Sequence, residues 1–105
     1  MHNDEGADAN FRWRLVQPTT LRWAHLSPDN AVFHGATGET HLLSPLPSFV
    51  VETLDAEAKP TDEICRETAA ACETDDDDAW QRKILSILAN LEELELIERQ
   101  TSANV

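Results

Sequence analysis

The stretch Gly35-Ala36-Thr37-Gly38-Glu39-Thr40-His41-Leu42-Leu43-Ser44-Pro45 decides how the rest of the chain is read. A threonine and a histidine behind two glycines resemble a piece of chemistry. The same residues also suit a hairpin turn that hands over to an apolar strand. The flanks favour the turn: Ala31-Val32-Phe33-His34 reads as a strand before it, and Leu42-Leu43 continues one after it. Gly35 and Gly38 then supply the positive φ of a longer hairpin loop. Thr40 and His41 start an edge strand, with His41 either pointing outward or contacting a bound peptide. Simple meander pairing sets His34 opposite Thr40 and His41 opposite Phe33, which turns the two histidines to opposite faces.

Working back from the hairpin, Leu21 to Leu26 gives a strand, closed by the turn Ser27-Pro28-Asp29-Asn30. Phe11, Trp13 and Leu15 alternate with Arg12 and Arg14 in a further strand that Pro18 ends. Residues 1–10 carry no periodicity and read as a disordered acidic tail, and residues 100–105 read as a second tail around a single 11–99 domain. Neither the polar N-terminus nor any apolar run suits a secretory signal or a membrane span, so a cytoplasmic protein without membrane contact is expected.

Working forward, the period changes at Ser44 from two to about 3.6. Ser44 is a helix cap, Pro45 fits the first turn, and Phe49, Val50 and Leu54 form an apolar stripe. Thr61 caps a second helix whose buried face is Ile64, Cys65, Thr68, Ala69 and Cys72. The seven-residue spacing of Cys65 and Cys72 suits neither a C-x-x-C pair nor a disulfide, so both read as buried reduced thiols. The run Asp75 to Asp78 reads as the solvated start of a third, long helix rather than as a metal site. In that helix Trp80, Ile84, Ile87, Leu88, Leu91 and Leu94 share one stripe, and Leu85 lies on its shoulder. Leu96 to Arg99 closes the domain as an extended segment. The expected class is α+β: a winged-helix-like layout with a three-stranded antiparallel sheet, or one more N-terminal strand, followed by three α-helices.

The formal charge of −12 is concentrated. Residues 52–78 hold eleven of the twenty acids against Lys59 and Arg66, whereas 9–51 carry two acids against three arginines. Such a chain repels phosphate backbones. A winged-helix DNA regulator also needs a basic recognition helix, and here Arg82 and Lys83 stand between four aspartates and Glu92-Glu93. His25, His34 and His41 lie on successive strands, but the expected register separates them, so no metal is expected. No phosphate loop, nucleophile elbow or paired-carboxylate motif is present, and neither catalysis nor a cofactor is expected.

The hairpin into Leu42-Leu43, the helices at Phe49 to Leu54 and Ile64 to Cys72, and Leu88-x-x-Leu91 with Leu96-Ile97 together resemble the PqqD family. These are small domains that bind the leader segments of ribosomally made peptides and present them to modifying enzymes. Trp13, Trp23 and the Gly38-Glu39-Thr40-His41 turn are similar to the HPr-rel-A system PqqD subgroup, associated with an HPr-kinase-related kinase. Departures include Glu95, where the family commonly has glycine, and Asp55-Ala56-Glu57, where it often has an Asp-Gly turn. The resemblance implies a leader peptide added as a strand beside Thr40, His41, Leu42 and Leu43. Its groove would be walled by Trp80, Lys83, Ile84, Ile87 and Leu88, with Lys83 available to an acidic leader residue. A docking adaptor for the kinase, without peptide carriage, is the alternative. The edge strand also admits a strand-exchanged dimer as well as a monomer.

Overall fold

The computed structural model describes residues 11–16, 21–26, 29–55 and 57–101. The readings made for residues 1–10 and 102–105, for Pro18 and for Ser27-Pro28 fall outside these. The described elements run β1 (Phe11–Leu15), β2 (Leu21–His25), β3 (Asn30–His34), β4 (Glu39–Leu43), α1 (Pro45–Thr53), α2 (Thr61–Ala71), α3 (Asp78–Glu93) and β5 (Ile97–Thr101). This is the expected α+β class. A three-stranded antiparallel sheet, β2-β3-β4, precedes the helices, and the extra N-terminal strand is present as β1.

β1 does not extend the meander; it pairs antiparallel with β5. The sequence alternation explains its burial, with Trp13 and Leu15 inside and Arg12 and Arg14 outside. The partner is chosen by contacts distant in sequence. Leu15 lies opposite the buried Ile97, Arg14 pairs with Glu98 at 2.6 Å, and the Arg99 guanidinium sits 4.9 Å from the Trp13 ring centroid. On the other side of Trp13, Lys59 forms an isolated bridge, with both backbone bonds made at 2.8 and 3.0 Å. The closing segment is thus a true strand, and it carries through Gln100 and Thr101.

The β3–β4 register is one residue away from simple meander pairing. His34 pairs with Glu39, and His41 pairs with Val32 rather than Phe33. The loop is the reason: the Gly38 N–H donates to the His34 carbonyl at 2.8 Å, and Gly38 takes φ +80. Four residues therefore separate the closing pair, and the slip moves His41 onto the same face as Val32 and His34. Gly38 is the one described glycine with positive φ; Gly35 has no such need.

Of the three helix starts, only that of α3 is capped by a side chain. Ser44 occupies the cap position of α1 without a side-chain bond, while the Ser48 hydroxyl donates to the Leu43 carbonyl at 3.2 Å. Thr61 does not cap α2. Pro60 stands at that position, and Thr61 Oγ1 accepts from the Trp13 indole at 2.8 Å. Asp77 does cap α3, accepting from the Trp80 N–H at 2.9 Å. In α1, Val51 joins Val50 and Leu54 in the core and Phe49 is half-buried. Cys65 is buried, but Cys72 is exposed, because α2 ends at Ala71 and Glu73 turns the chain away with φ 57.

The core gathers Val32 and Leu43 from the sheet, Val50 and Val51 from α1, Ile64 from α2, and Ile84, Leu88 and Leu91 from α3. Leu96 and Ile97 complete it. The end of α3 is a Schellman turn: Leu96 N–H donates to Leu91, Glu95 N–H donates to Glu92, and Glu95 has φ 65. A non-glycine residue resists this conformation by roughly 1–2 kcal/mol. The buried His34 ring holds the turn by its 2.8 Å bond from Nε2 to the Glu95 carbonyl.

Candidate functional site

In the sheet order β2-β3-β4, the outer side of β4 has no strand partner among the described residues. The orientation of its backbone follows from the hairpin. Because the His34 carbonyl faces Gly38 across the turn, His34 and its alternates Val32 and Asn30 direct their polar groups at β4. Their partners Glu39, His41 and Leu43 point back at β3. The N–H and C=O groups of Thr40 and Leu42 therefore point away from the sheet, offering two donors and two acceptors to an added strand.

The expected site residues divide by burial. On β4, Thr40 and Leu42 are exposed, Leu42 by 67%, whereas Leu43 is in the core. On α3, Trp80, Lys83, Ile84 and Ile87 recur at three- and four-residue spacing and so occupy one side of the helix. Ile84 and Leu88 are fully buried, Trp80 and Ile87 pack half-buried against them, and Lys83 is exposed. Leu43, Ile84 and Leu88 belong to the single apolar core, against which Trp80 and Ile87 pack. Thr40, His41, Leu42 and Lys83 lie outside it. Leu85, on the shoulder of the stripe, is 48% exposed.

Trp80 is fixed by its indole N–H, which is shared between the Cys65 carbonyl at 3.1 Å and Thr68 Oγ1 at 3.2 Å. With Asp77 holding its backbone, the ring cannot swing freely over the helix end. His41 is less settled. Its Nε2 is shielded from solvent and has no hydrogen bond; Glu39 Oε1 lies 3.5 Å away, near enough to pair with a protonated ring but out of alignment for a hydrogen bond.

The three strand histidines share the inner face of the sheet, one consequence of the slipped register. They nevertheless occupy different rows: His34 beside Leu21, His41 beside Val32 and His25 beside Asn30. Strand rise spreads alternate rows by roughly 6–7 Å. Among the described residues no three His, Cys, Asp or Glu side chains gather as metal ligands. His34 uses both ring nitrogens, Nε2 toward Glu95 and Nδ1 accepting from the Ala36 N–H at 3.3 Å. Burial, with Asp76 and Asp62 adding to it, pushes the Cys65 thiol up to about 11, so it is a poor nucleophile near neutrality.

A large cavity of about 820 Å³ lies elsewhere, around Leu15, Leu54 and Ile97. No local pattern in the sequence marks it, because its walls come from β1, the β3–β4 turn, the end of α1 and β5.

No protein-family model matches the sequence, and no curated protein matches it. Two solved structures share the architecture. One is TbiB1 in complex with the TbiA(beta) leader peptide, at TM-score 0.65 and 22% identity, covering 81% of this chain and 94% of that one. The chain has their fold. The second is lasso peptide synthetase B1 complexed with the leader peptide, at TM-score 0.60 and 18% identity, covering 86% of this chain and 99% of the other. No helix among the described residues is long and apolar enough to cross a membrane.

Proposed function

We propose that this protein is a non-catalytic, PqqD-like module that captures the leader segment of a ribosomally made precursor peptide and presents it to a modifying enzyme. The open outer edge of β4 carries this reading. The two similar solved structures described above were determined with a leader peptide, which supports it. A leader strand would pair with Thr40 and Leu42, flank His41, and place alternate side chains against Trp80, Lys83 and Ile87, with Leu43, Ile84 and Leu88 as the floor. Backbone pairing gives affinity with little sequence demand, and the alternate side chains give selectivity.

Four edge hydrogen bonds contribute roughly 0.5–1.5 kcal/mol each. Micromolar binding requires about 8 kcal/mol. Edge pairing alone falls short, so the leader must also seat apolar anchors on the half-buried Trp80 and Ile87. The HPr-kinase-related kinase is one identity for the enzyme served.

The test is capture of peptides from the native cell on immobilised protein, with Leu42→Pro as the control. Leu42 is exposed and its amide faces outward, so proline blocks the added strand while leaving the β3 ladder intact. Leu43 is unsuitable because it is buried and its amide serves β3. A short ribosomal peptide retained by wild type and lost with Leu42→Pro is expected. Retention of only a kinase-like protein, equal on both forms, would establish docking without peptide carriage and overturn the edge mechanism.

A further inference from the structure

The cavity around Leu15 has a neighbour. A second, of about 260 Å³, shares Leu15 and Asp55 with it and is walled by Leu21, Trp23, His25 and Glu52. The two adjoin at these residues, and we treat them as one furrow, whose larger part has the buried Leu15, Leu54 and Ile97 among its lining. At one end stands an aromatic wall, where the half-buried Trp23 stacks with His25 at 6.4 Å and 7°. Five carboxylates line the larger cavity against one guanidinium, that of Arg14. Glu98 and Glu92 are engaged by Arg14 and Arg99. Asp55, Glu57 and Glu95 have no ion-pair partner among the described residues, and neither has Glu52.

We infer that this furrow is a docking surface for a protein partner's segment that carries two or more Arg or Lys side chains with an apolar residue between them. The charge sign selects the occupant. Unpaired carboxylates above an apolar floor bind a cation whose alkyl stem also buries, and Trp23 offers a face to a guanidinium. The chain's own N-terminal ten residues hold Asp4, Glu5 and Asp8 with no Lys or Arg, so they have the wrong sign to fill it. Position matters as well. Trp23 is on β2, the edge of the sheet opposite β4, so a partner docked here leaves the β4 edge free. The inference stands without the leader reading; if both hold, enzyme and peptide occupy the two edges together.

The probe is a fluorescein-labelled peptide RLRLR, with ELELE as the control, titrated by anisotropy against the full chain. The first variant is Asp55→Asn/Glu57→Gln/Glu95→Gln. The second is Asp75→Asn/Asp76→Asn/Asp78→Asn, which spares the Asp77 cap. Each changes the formal charge from −12 to −9, so uniform attraction affects both alike. The furrow variant should bind RLRLR about tenfold more weakly, the sum of three partly exposed pairs. The aspartate-run variant should stay within about twofold, and Trp23→Ala should weaken binding in a chain whose circular dichroism is unchanged. Equal losses in the two triple variants, or no saturable binding of RLRLR to wild type, would overturn the inference. Leu42→Pro should bind RLRLR as wild type does, so a failure of leader capture is read separately.

Discussion

The sequence offers Thr61 as a helix cap, whereas the structure makes it the partner of the Trp13 indole, and a double-mutant cycle separates the two roles. Trp13 is 3% exposed and its Nε1–H meets Thr61 Oγ1 at 2.8 Å. Thr61→Val removes the hydroxyl at nearly constant shape and leaves a buried donor unpaired, at about 1–3 kcal/mol. Trp13→Phe removes the donor and part of the ring, costing about 2–3 kcal/mol from the lost bond and the residual cavity. In the Trp13→Phe background no donor is stranded, so Thr61→Val is nearly free there. The non-additivity should be about 1–3 kcal/mol in urea unfolding, each kcal/mol being roughly 4–8 °C in melting temperature for a domain of this size. If Thr61 acted on α2 instead, Thr61→Val would cost the same in either background. A coupling within about 0.3 kcal/mol of zero would refute the assignment.

Trp80→Ala should lower stability by about 2–4 kcal/mol, below a fully buried tryptophan because the ring is half-buried, and Trp80→Phe should recover the packing but not the indole bonds; urea midpoints decide. Of the two cysteines, Cys72 should react at once with a thiol reagent near neutral pH and Cys65 only after denaturant, since burial holds its thiol up at about 11; two fast thiols would contradict the core placement. The Lys59 ammonium donates to Glu67 at 2.7 Å, which lowers the Glu67 carboxyl from 4.5 and raises Lys59 from 10.5. The Glu67 contribution is therefore present above its unfolded value and lost as pH falls through the folded one, while that of Lys59 is full below 10.5 and lost at higher pH. Glu67→Gln should thus lower the urea midpoint at about pH 7 and lower it by less at about pH 3; equal losses at both would show that the ion pair is not the cause.

Local pattern alone determined the elements: the two-residue alternation of Phe11, Trp13 and Leu15, the turn before β4, the three helical stripes and the aspartate run, Asp75 to Asp78, that starts α3. These are legible because strand and helix periods, and cap chemistry, act within a few residues. The strand that starts at Thr40 and His41 was legible on the same ground, whereas the candidate edge from Thr40 to Leu43 followed from the family resemblance. Three matters were left to the tertiary structure. β1 joins β5 rather than the meander because Ile97, Glu98 and Arg99 come from the far end of the chain. The His41 face depends on one residue of register, which a backbone bond from Gly38 to His34 sets and composition does not reveal. Glu95 holds the left-handed position where the PqqD family commonly has glycine, and the 2.8 Å bond from His34, sixty-one residues away, fastens that turn. Periodicity specifies which residues turn inward; only packing decides what they meet there.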